Sequence, residues 1–252
     1  MILVQSLGLS CSYVGDDAHK VHPARRTVIS LTFDDGTLDQ YALLKLLSDR
    51  DMKATVYVNS GIVNVNGKHP GYLNWSQLHR LAQQGIEIGG HTIHHPHLPS
   101  LVPSKQRREI CGDRANLIDH GFDPISFAYP YADFTRVTER LVEACGYLSA
   151  RAVGGIDCAE CDVAETIPPL HPYALRTPDD VEESTSLQDL KSEVRKAEEA
   201  RRAWLVLTMH HICKSCSTLA VSRSKLERFL DWLQGRSARG TVVRTVGDVM
   251  MD

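Results

Sequence analysis

The sequence predicts an α/β fold, a distorted or incomplete (β/α) barrel of about seven strand–helix units. β-Branched, apolar segments alternate along the chain with segments whose apolar residues recur at helical spacing. Short turns join them, and no linker, repeat or low-complexity segment divides the 252 residues. We therefore expect one domain over 27–252, preceded by an N-terminal extension at 1–26 that could be flexible.

The predicted elements follow one another in a regular order. Strands are predicted at 27–33, 53–59, 86–90, 124–130, 147–153, 173–177, 203–209 and 241–246. Helices are predicted at 38–52, 75–85, 104–121, 136–146, 187–202 and 224–236. A loop is predicted at 154–172. Successive strand–helix units of this kind imply a parallel sheet.

The composition excludes several classes of partner. Hydrophobic residues make up 42% of the chain and charged residues 23%, which is ordinary for a globular protein. The net charge of -3 gives no electrostatic basis for binding nucleic acid or an anionic membrane. No apolar run approaches the length of a membrane helix, so we expect no membrane span. We also expect a monomer.

Polar side chains follow several of the predicted strands. In barrels of parallel strands, the catalytic residues gather at the C-terminal ends of the strands. Four predicted strands end in such groups: Asp34 with Asp35, His91, the segment 129–131, and His210. We therefore expect these four segments to meet at one rim of the barrel.

The segment GHTIHHPH, residues 90–97, contains four histidines. His91 and His95 are four positions apart, a spacing that lets two imidazoles point the same way from one helical turn. Zinc proteases use this spacing, but Thr92 stands where their motif has its glutamate base. Two imidazoles with one carboxylate would leave positions open for water and substrate. A histidine-rich surface loop is the alternative interpretation.

The other rim residues suggest acid–base chemistry. Of Asp34 and Asp35, one could ligate a cation while the other takes a proton from water; an ordinary Asp-Asp-Gly turn is the alternative. His210 could act as a general acid or be a core histidine. The Tyr131 backbone N–H could stabilise an oxyanion, although the same residue pattern occurs freely in loops.

In this order, the segments TFDDG, HTIHH, FAYPY and LTMHH resemble the NodB-homology polysaccharide deacetylases, carbohydrate esterase family four. The resemblance runs from about residue 27 to the end, and the C-terminal segments are similar to secreted actinobacterial-type members. It implies the NodB-homology barrel and a divalent metal, usually zinc, with cobalt or nickel as alternatives. It also implies an extracellular catalytic domain that removes N-acetyl or O-acetyl groups from a polysaccharide or oligosaccharide.

The resemblance assigns a role to each matching residue. Asp34 would be the general base, His210 the general acid, and the Tyr131 backbone N–H an oxyanion donor. His94 and His97 would be bystanders. The metal ligands would be Asp35, His91 and His95.

The sequence departs from the family pattern at the third motif, where Ala128 and Ala132 replace an arginine and a glycine. We predict that Arg176 orients Asp34 in place of that arginine. Thr208 stands where a leucine usually lines the acetyl-methyl pocket, and the fourth motif is not identified. A non-catalytic glycan-binding homologue is the alternative function. Retention of all five base, acid and ligand residues argues against it.

Four of the seven cysteines form two CxxC pairs, Cys158–Cys161 and Cys213–Cys216. Such pairs indicate either disulfides or a thiolate zinc site. In a secreted hydrolase disulfides are favoured, and Cys111 is then expected to pair with Cys145 between adjacent helices. Cys11 is left over.

Overall fold

The computed structural model describes residues 27–156, 160–200 and 202–252. The predicted extension at 1–26 lies outside the described residues. Within them, nine strands form one sheet. They are β1 Thr27–Phe33, β2 Thr55–Val58, β3 Glu87–Gly90, β4 Ser126–Ala128, β5 Ser149–Gly155, β6 Glu165–Thr166, β7 Leu175–Thr177, β8 Ala203–Met209 and β9 Thr241–Val243.

The helices pack against the outer face of this sheet. They are α1 Leu43–Ser48, α2 Trp75–Gln83, α3 Pro103–Asp119, α4 Arg136–Ala144, α5 Leu187–Glu199, α6 Arg223–Gln234 and α7 Val246–Met250. Side-chain caps start several of them, since Asn74, Thr135 and Ser186 each accept a hydrogen bond from the third residue of the following helix. Among the described helices, none is both long and apolar enough to cross a bilayer.

The sheet confirms the predicted barrel. Parallel strands run in the order β8-β1-β2-β3-β4-β5-β7, and the two-residue β6 is added antiparallel at the outer edge of β8. β9 pairs with the first three residues of β1, Thr27, Val28 and Ile29, whereas β2 pairs with its last two, Thr32 and Phe33. The sheet is nearly closed, because Val181 after β7 donates its backbone N–H to Thr208 of β8 at 2.9 Å.

The central strand β1 is buried over its whole length. Ile29, Leu31 and Phe33 pack outward into the apolar layer beneath the helices. The alternate residues face the barrel interior, where Trp204 of β8 donates its indole N–H to Ser30 Oγ at 2.9 Å. Both faces of the strand are covered, and the buried Ser30 and Thr32 on its inward face are satisfied by hydrogen bonds, Thr32 Oγ1 donating to the Leu207 carbonyl at 3.0 Å.

Two predicted elements differ from the structure. The strand expected at 241–246 stops at Val243, because Thr245 accepts a hydrogen bond from Asp248 and starts α7. The loop expected at 154–172 contains β6, and in the described part of the segment between β5 and β7 there is a short 3-10 turn at Pro172–Ala174 but no α-helix. One strand of the barrel therefore lacks the helix that a regular repeat would give it.

Two of the predicted disulfides are confirmed. Cys111 of α3 is bonded to Cys145, the residue that ends α4, and Cys213 is bonded to Cys216. Their Cα–Cα distances of 5.0 and 6.0 Å lie within the usual range. Cys11 and Cys158 lie outside the described residues, and so does the pairing expected for Cys158.

Glu87, at the start of β3, joins three elements at the lower end of the barrel. Its carboxylate accepts hydrogen bonds from Thr55 Oγ1 at 2.8 Å, Ser126 Oγ at 2.6 Å and the Gly247 backbone N–H at 2.8 Å. Burial raises the pKa of Glu87, although these three donors act against the shift.

A raised pKa in the folded state means that, at pH values between the unfolded-state and folded-state pKa, Glu87 is protonated in the folded protein and ionised in the unfolded chain. Its contribution to the free energy of unfolding is therefore largest below about pH 4 and is lost as the pH rises through the folded-state pKa. Glutamine does not ionise, so Glu87→Gln should not show this pH-dependent decrease. We predict that the free energy of unfolding of the variant, relative to that of the parent, is higher at pH 7 than at pH 4. Urea midpoints at the two pH values measure the difference, with the exposed Asp119→Asn as control. An equal difference between variant and parent at both pH values would contradict the assignment.

Candidate active site

Two carboxylates follow β1 at the upper rim. Asp34 continues the ladder to β8, donating its N–H to the Met209 carbonyl at 2.9 Å, and only 5% of its side chain is exposed. Asp35 adopts a left-handed backbone with φ 75°, and its side chain is 26% exposed. The adjacent carboxylates thus lie in different environments, the first inside the barrel and the second at its mouth.

Asp35 lies beside two of the four histidines of the segment 90–97. Its Oδ1 is 3.6 Å from His91 Nε2 and 3.5 Å from His95 Nε2. A tetrahedral ion with bonds of about 2.1 Å separates its ligand atoms by about 3.4 Å, which matches this spacing. We call these three residues the candidate metal centre.

The imidazoles of the candidate metal centre are prepared to be ligands. His91 Nδ1 is 2.8 Å from the Ala128 carbonyl, which can only accept, so Nδ1 is the donor and Nε2 is the ring nitrogen that faces Asp35. Burial, together with the neighbouring His91, lowers the pKa of His95 to about 4, so its ring is neutral at pH 7. Two imidazoles and one carboxylate are a donor set that zinc and related divalent ions accept.

The loop that carries these histidines is held from beneath. Asp113 of α3 is fully buried and accepts hydrogen bonds from the backbone N–H groups of Ser60 and His91, each at 3.0 Å. Thr92 Oγ1 accepts the His95 N–H at 2.9 Å and fixes the turn between the two ligands. The position of the candidate metal centre therefore depends on backbone contacts.

The other two histidines of the segment point elsewhere, as predicted. His94 is exposed, and its Nδ1 is 3.0 Å from Glu109 Oε1. The His97 ring stacks on the Tyr131 ring with centroids 3.8 Å apart, and His97 Nδ1 lies 3.3 Å from Asp133 Oδ2.

Asp34 forms a buried ion pair with Arg151 of β5. The Arg151 side chain is fully buried, and its guanidinium lies over the Tyr57 ring, 5.3 Å from the centroid. Burial, the largest single effect, would raise the pKa of Asp34, but the charge and hydrogen bond of Arg151 together with the neighbouring His91 and His210 outweigh it and hold the pKa below its usual range. Asp34 is therefore ionised at neutral pH.

The partner predicted for Asp34 is wrong. Arg176 makes a different contact: its Nε lies 2.9 Å from Glu165 Oε1, and its Nη1 lies 3.1 Å from Asp162. The physical reason is the register of β5 and β7, which pairs Arg151 with Leu175. Arg176 is the next residue and so faces away from the barrel interior.

His210 follows β8 and faces the same carboxylate. Its Nε2 is 3.9 Å from Asp34 Oδ2, and its Nδ1 is 3.9 Å from Asp180 Oδ1. Asp180 lies in the segment after β7. Burial raises the pKa of Asp180, and the neighbouring imidazole acts in the opposite direction. His210 thus stands between two carboxylates from different strand ends.

Gln40 joins the loops after β1 and β8. Its side-chain amide donates to the Asp34 carbonyl and, at 2.9 Å, to the His210 carbonyl. Thr208, two residues before His210, is buried on the inward face of β8.

The Tyr131 turn completes the rim. The Tyr131 ring lies 4.5 Å from the His95 ring between centroids, and its side chain is exposed. Tyr131 and Ala132 both adopt left-handed backbone, with φ of 57° and 53°. The family pattern has glycine at the second position, which removes the steric cost of this conformation.

The structure therefore brings all six predicted site residues to one rim. It adds four that the sequence analysis did not assign, Gln40, Asp113, Arg151 and Asp180. A signal for Asp180 was present, because Asp179 and Asp180 come two and three residues after the predicted strand at 173–177. Gln40 and Asp113 lie in helical segments, where no comparable rule marks them.

Comparison with known proteins identifies the family. The family model described as polysaccharide deacetylase matches residues 22–150, just over half of the 252-residue chain. The chain therefore belongs to the polysaccharide deacetylase family. The Bacillus subtilis (strain 168) protein YxkH, provisionally named a polysaccharide deacetylase, is 32% identical over 128 residues. That match covers 50% of this chain and 44% of YxkH, so the chain spans less than half the length of this relative.

Solved structures show the same fold. A provisionally assigned polysaccharide deacetylase from Mycobacterium smegmatis matches with a TM-score of 0.66 and 14% identity, covering 90% of both chains. The Xyl-CE4 domain of a multidomain xylanase from the hindgut metagenome of Trinervitermes trinervoides matches with a TM-score of 0.58 and 19% identity, again over 90% of both chains. At such identities the likeness establishes the barrel alone.

The left-handed turn at Ala132 gives a stability prediction. A non-glycine residue in this conformation costs about 1–2 kcal/mol, which a glycine avoids. Glycine also loses more conformational entropy on folding, so only part of this saving appears as added stability. We predict that Ala132→Gly raises the free energy of unfolding by about 0.5–1 kcal/mol in urea titrations.

The matched control is the same substitution on a regular helix. Ala115 is exposed in the interior of α3, so Ala115→Gly should lower stability by about 1 kcal/mol. If both variants shift stability in the same direction, the Ala132 backbone is not under steric strain.

Proposed function

We propose that this protein is a metal-dependent hydrolase that removes acetyl groups from N-acetylated or O-acetylated polysaccharide. One observation carries the proposal: the ionised Asp34 and the imidazole of His210 face each other beside the candidate metal centre. The family and the fold agree with this chemistry. Polysaccharide or oligosaccharide is the proposed substrate, and the monomer is the proposed form.

The candidate metal centre fits a divalent cation. Its donor set and its 3.5–3.6 Å spacing suit zinc, and cobalt or nickel would accept the same ligands. When bound, such an ion supplies Lewis acidity, which polarises an acetyl carbonyl and makes water more acidic. We assign Asp35, His91 and His95 as its ligands.

The chain's own groups then carry the proton transfers. Asp34 takes a proton from the attacking water, whose oxygen bonds to the acetyl carbon. The Tyr131 backbone N–H donates to the carbonyl oxygen as that oxygen becomes negative. His210 gives a proton to the sugar nitrogen as the C–N bond breaks, which releases acetate and a free amine. In an acetyl ester the same proton goes to the sugar oxygen.

Arg151 and Asp180 are proposed as positioning residues. The Arg151 guanidinium keeps the Asp34 carboxylate charged and directs it toward the rim. A buried carboxylate without such a partner would tend to take up a proton. Asp180 lies 3.9 Å from His210 Nδ1 and would hold the imidazole in place opposite Asp34.

The alternative of a non-catalytic glycan-binding homologue loses its main motivation. That hypothesis rested on the missing arginine of the third motif. Arg151 supplies a guanidinium to Asp34 from β5. The disulfides favour an extracellular location over a cytoplasmic one, and we propose secretion.

Acetate release tests the proposal. The zinc-loaded protein should release acetate from at least one member of a panel of chitin oligomers, peptidoglycan, poly-N-acetylglucosamine and acetylxylan. Asp34→Asn should lower turnover by about 10²- to 10⁴-fold while one zinc stays bound, because it removes the general base. The exposed His94→Ala is the control and should retain activity. Zinc bound without acetate release from any member of the panel would favour the glycan-binding alternative.

The two arginines give a matched pair of variants. We predict that Arg151→Met lowers turnover at least about 100-fold, because Asp34 loses its orienting partner. Arg176→Met should stay within about threefold of the parent, since this side chain pairs with Glu165 instead. Metal content and circular dichroism are measured in parallel.

Arg151→Lys separates positioning from folding. A lysine keeps the buried charge but lacks the planar fork, so it should restore stability while turnover stays low. Equal turnover in Arg151→Met and Arg176→Met would overturn the role given to Arg151.

A further inference from the structure

A second group of metal-ligating side chains lies beside the first, on the loops after β1 and β8. His211 Nδ1 is 2.8 Å from Asp39 Oδ2, and Asp39 Oδ1 accepts a hydrogen bond from Thr37 at 2.6 Å. One ligand atom from each of Asp39, His211 and Cys216 lies within 4.8 Å of the other two. Cys213 Sγ is bonded to Cys216 Sγ, so a second sulfur is adjacent.

The loop that carries His211 and Cys216 is held by hydrogen bonds that do not involve the disulfide. The His211 backbone donates to Leu219 at 3.1 Å and accepts from Val221 at 2.9 Å, which fixes the start and end of the loop. Ser215, between the two cysteines, donates its N–H to Glu183 Oε1 at 2.8 Å. Opening the disulfide would therefore leave the loop in place.

We propose that Asp39, His211, Cys213 and Cys216 form a second metal site when the Cys213–Cys216 disulfide is reduced. A CxxC pair with one imidazole and one carboxylate provides four ligands, the number that structural zinc takes. Thiolates select zinc and similar thiophilic ions, whereas the candidate metal centre has only nitrogen and oxygen donors.

The chemistry requires a dithiol reductant. Thiolate attack on the disulfide forms a mixed disulfide, which the second thiol resolves. The reductant leaves as a cyclic disulfide, and two electrons and two protons pass to Cys213 and Cys216. Binding of Zn²⁺ then displaces two thiol protons to solvent. Cys216 is exposed, so the dithiol can reach it.

The site would tie together the two loops that carry the proposed base and acid. Asp39 immediately precedes Gln40, whose side chain bonds the carbonyls of both Asp34 and His210. An ion held by Asp39 and His211 would add a second link between the same loops.

The metal content of the oxidised and reduced chain tests the proposal. Protein with and without anaerobic dithiol treatment is incubated with ZnCl₂ and desalted, and zinc per chain is measured by mass spectrometry. We expect reduction to add one zinc per chain. With CoCl₂, the reduced form should show thiolate-to-cobalt charge-transfer absorption, which the oxidised form lacks.

Variants locate the added ion. His211→Ala, Asp39→Asn and the Cys213→Ser/Cys216→Ser pair should each lose the added zinc, with circular dichroism confirming the fold. Cys161→Ser should keep it. His95→Ala should lose the first zinc and still gain one on reduction, so failure of this proposal and failure of the proposed function are distinguishable.

Two outcomes would overturn the proposal. One is an unchanged zinc content on reduction. The other is an added zinc that persists in His211→Ala but is lost in Cys161→Ser, which would place the ion between the CxxC pairs.

Discussion

Arg151 and Asp34 are opposite charges paired in the barrel interior, each almost wholly removed from water. Burying either charge alone costs several kcal/mol, so each requires the other to remain ionised. β1 and β5 are separated in the sheet by three strands, and the ion pair joins them across the interior. The Tyr57 ring beneath the guanidinium completes this polar contact. The charge on Asp34, and with it the acid–base arrangement at the rim, depends on this pair.

The rim combines two electrostatic environments within a few ångströms. Around Asp34, the guanidinium of Arg151 and the imidazoles of His91 and His210 favour a negative charge. At the candidate metal centre, burial and the neighbouring His91 favour a neutral His95 ring, whose pKa is lowered to about 4. A base must be ionised and a histidine ligand must be unprotonated. Strand ends bring these groups to one rim, backbone contacts of Asp113 and Thr92 fix the histidine loop, and the interior contacts set the pKa of Asp34 and His95.

Most of the fold was predictable from the sequence, because apolar periodicity and turn residues mark every strand except the two-residue β6 and every α-helix except the short α7. The rim residues were predictable from their places after strands and from the motifs. Arg151 was not, because its strand pattern shows which residues share a face but not which face is inside. The same ambiguity made the prediction for Arg176 wrong, since one step in register separates it from Leu175, which faces inward. Asp113 was hidden because its partners are backbone N–H groups.

Backbone strain is concentrated where the chemistry is proposed. Nine non-glycine residues in the described part of the chain have positive φ. Five of them surround the candidate metal centre: Asp35, Thr92, His95, Tyr131 and Ala132. Each such conformation costs on the order of 1–3 kcal/mol and persists only where surrounding contacts impose it. Here Asp113 and Thr92 impose it on the histidine loop. A surface turn under no functional constraint can relax this strain through glycine. The retained strain therefore supports a site whose geometry matters more than its local stability.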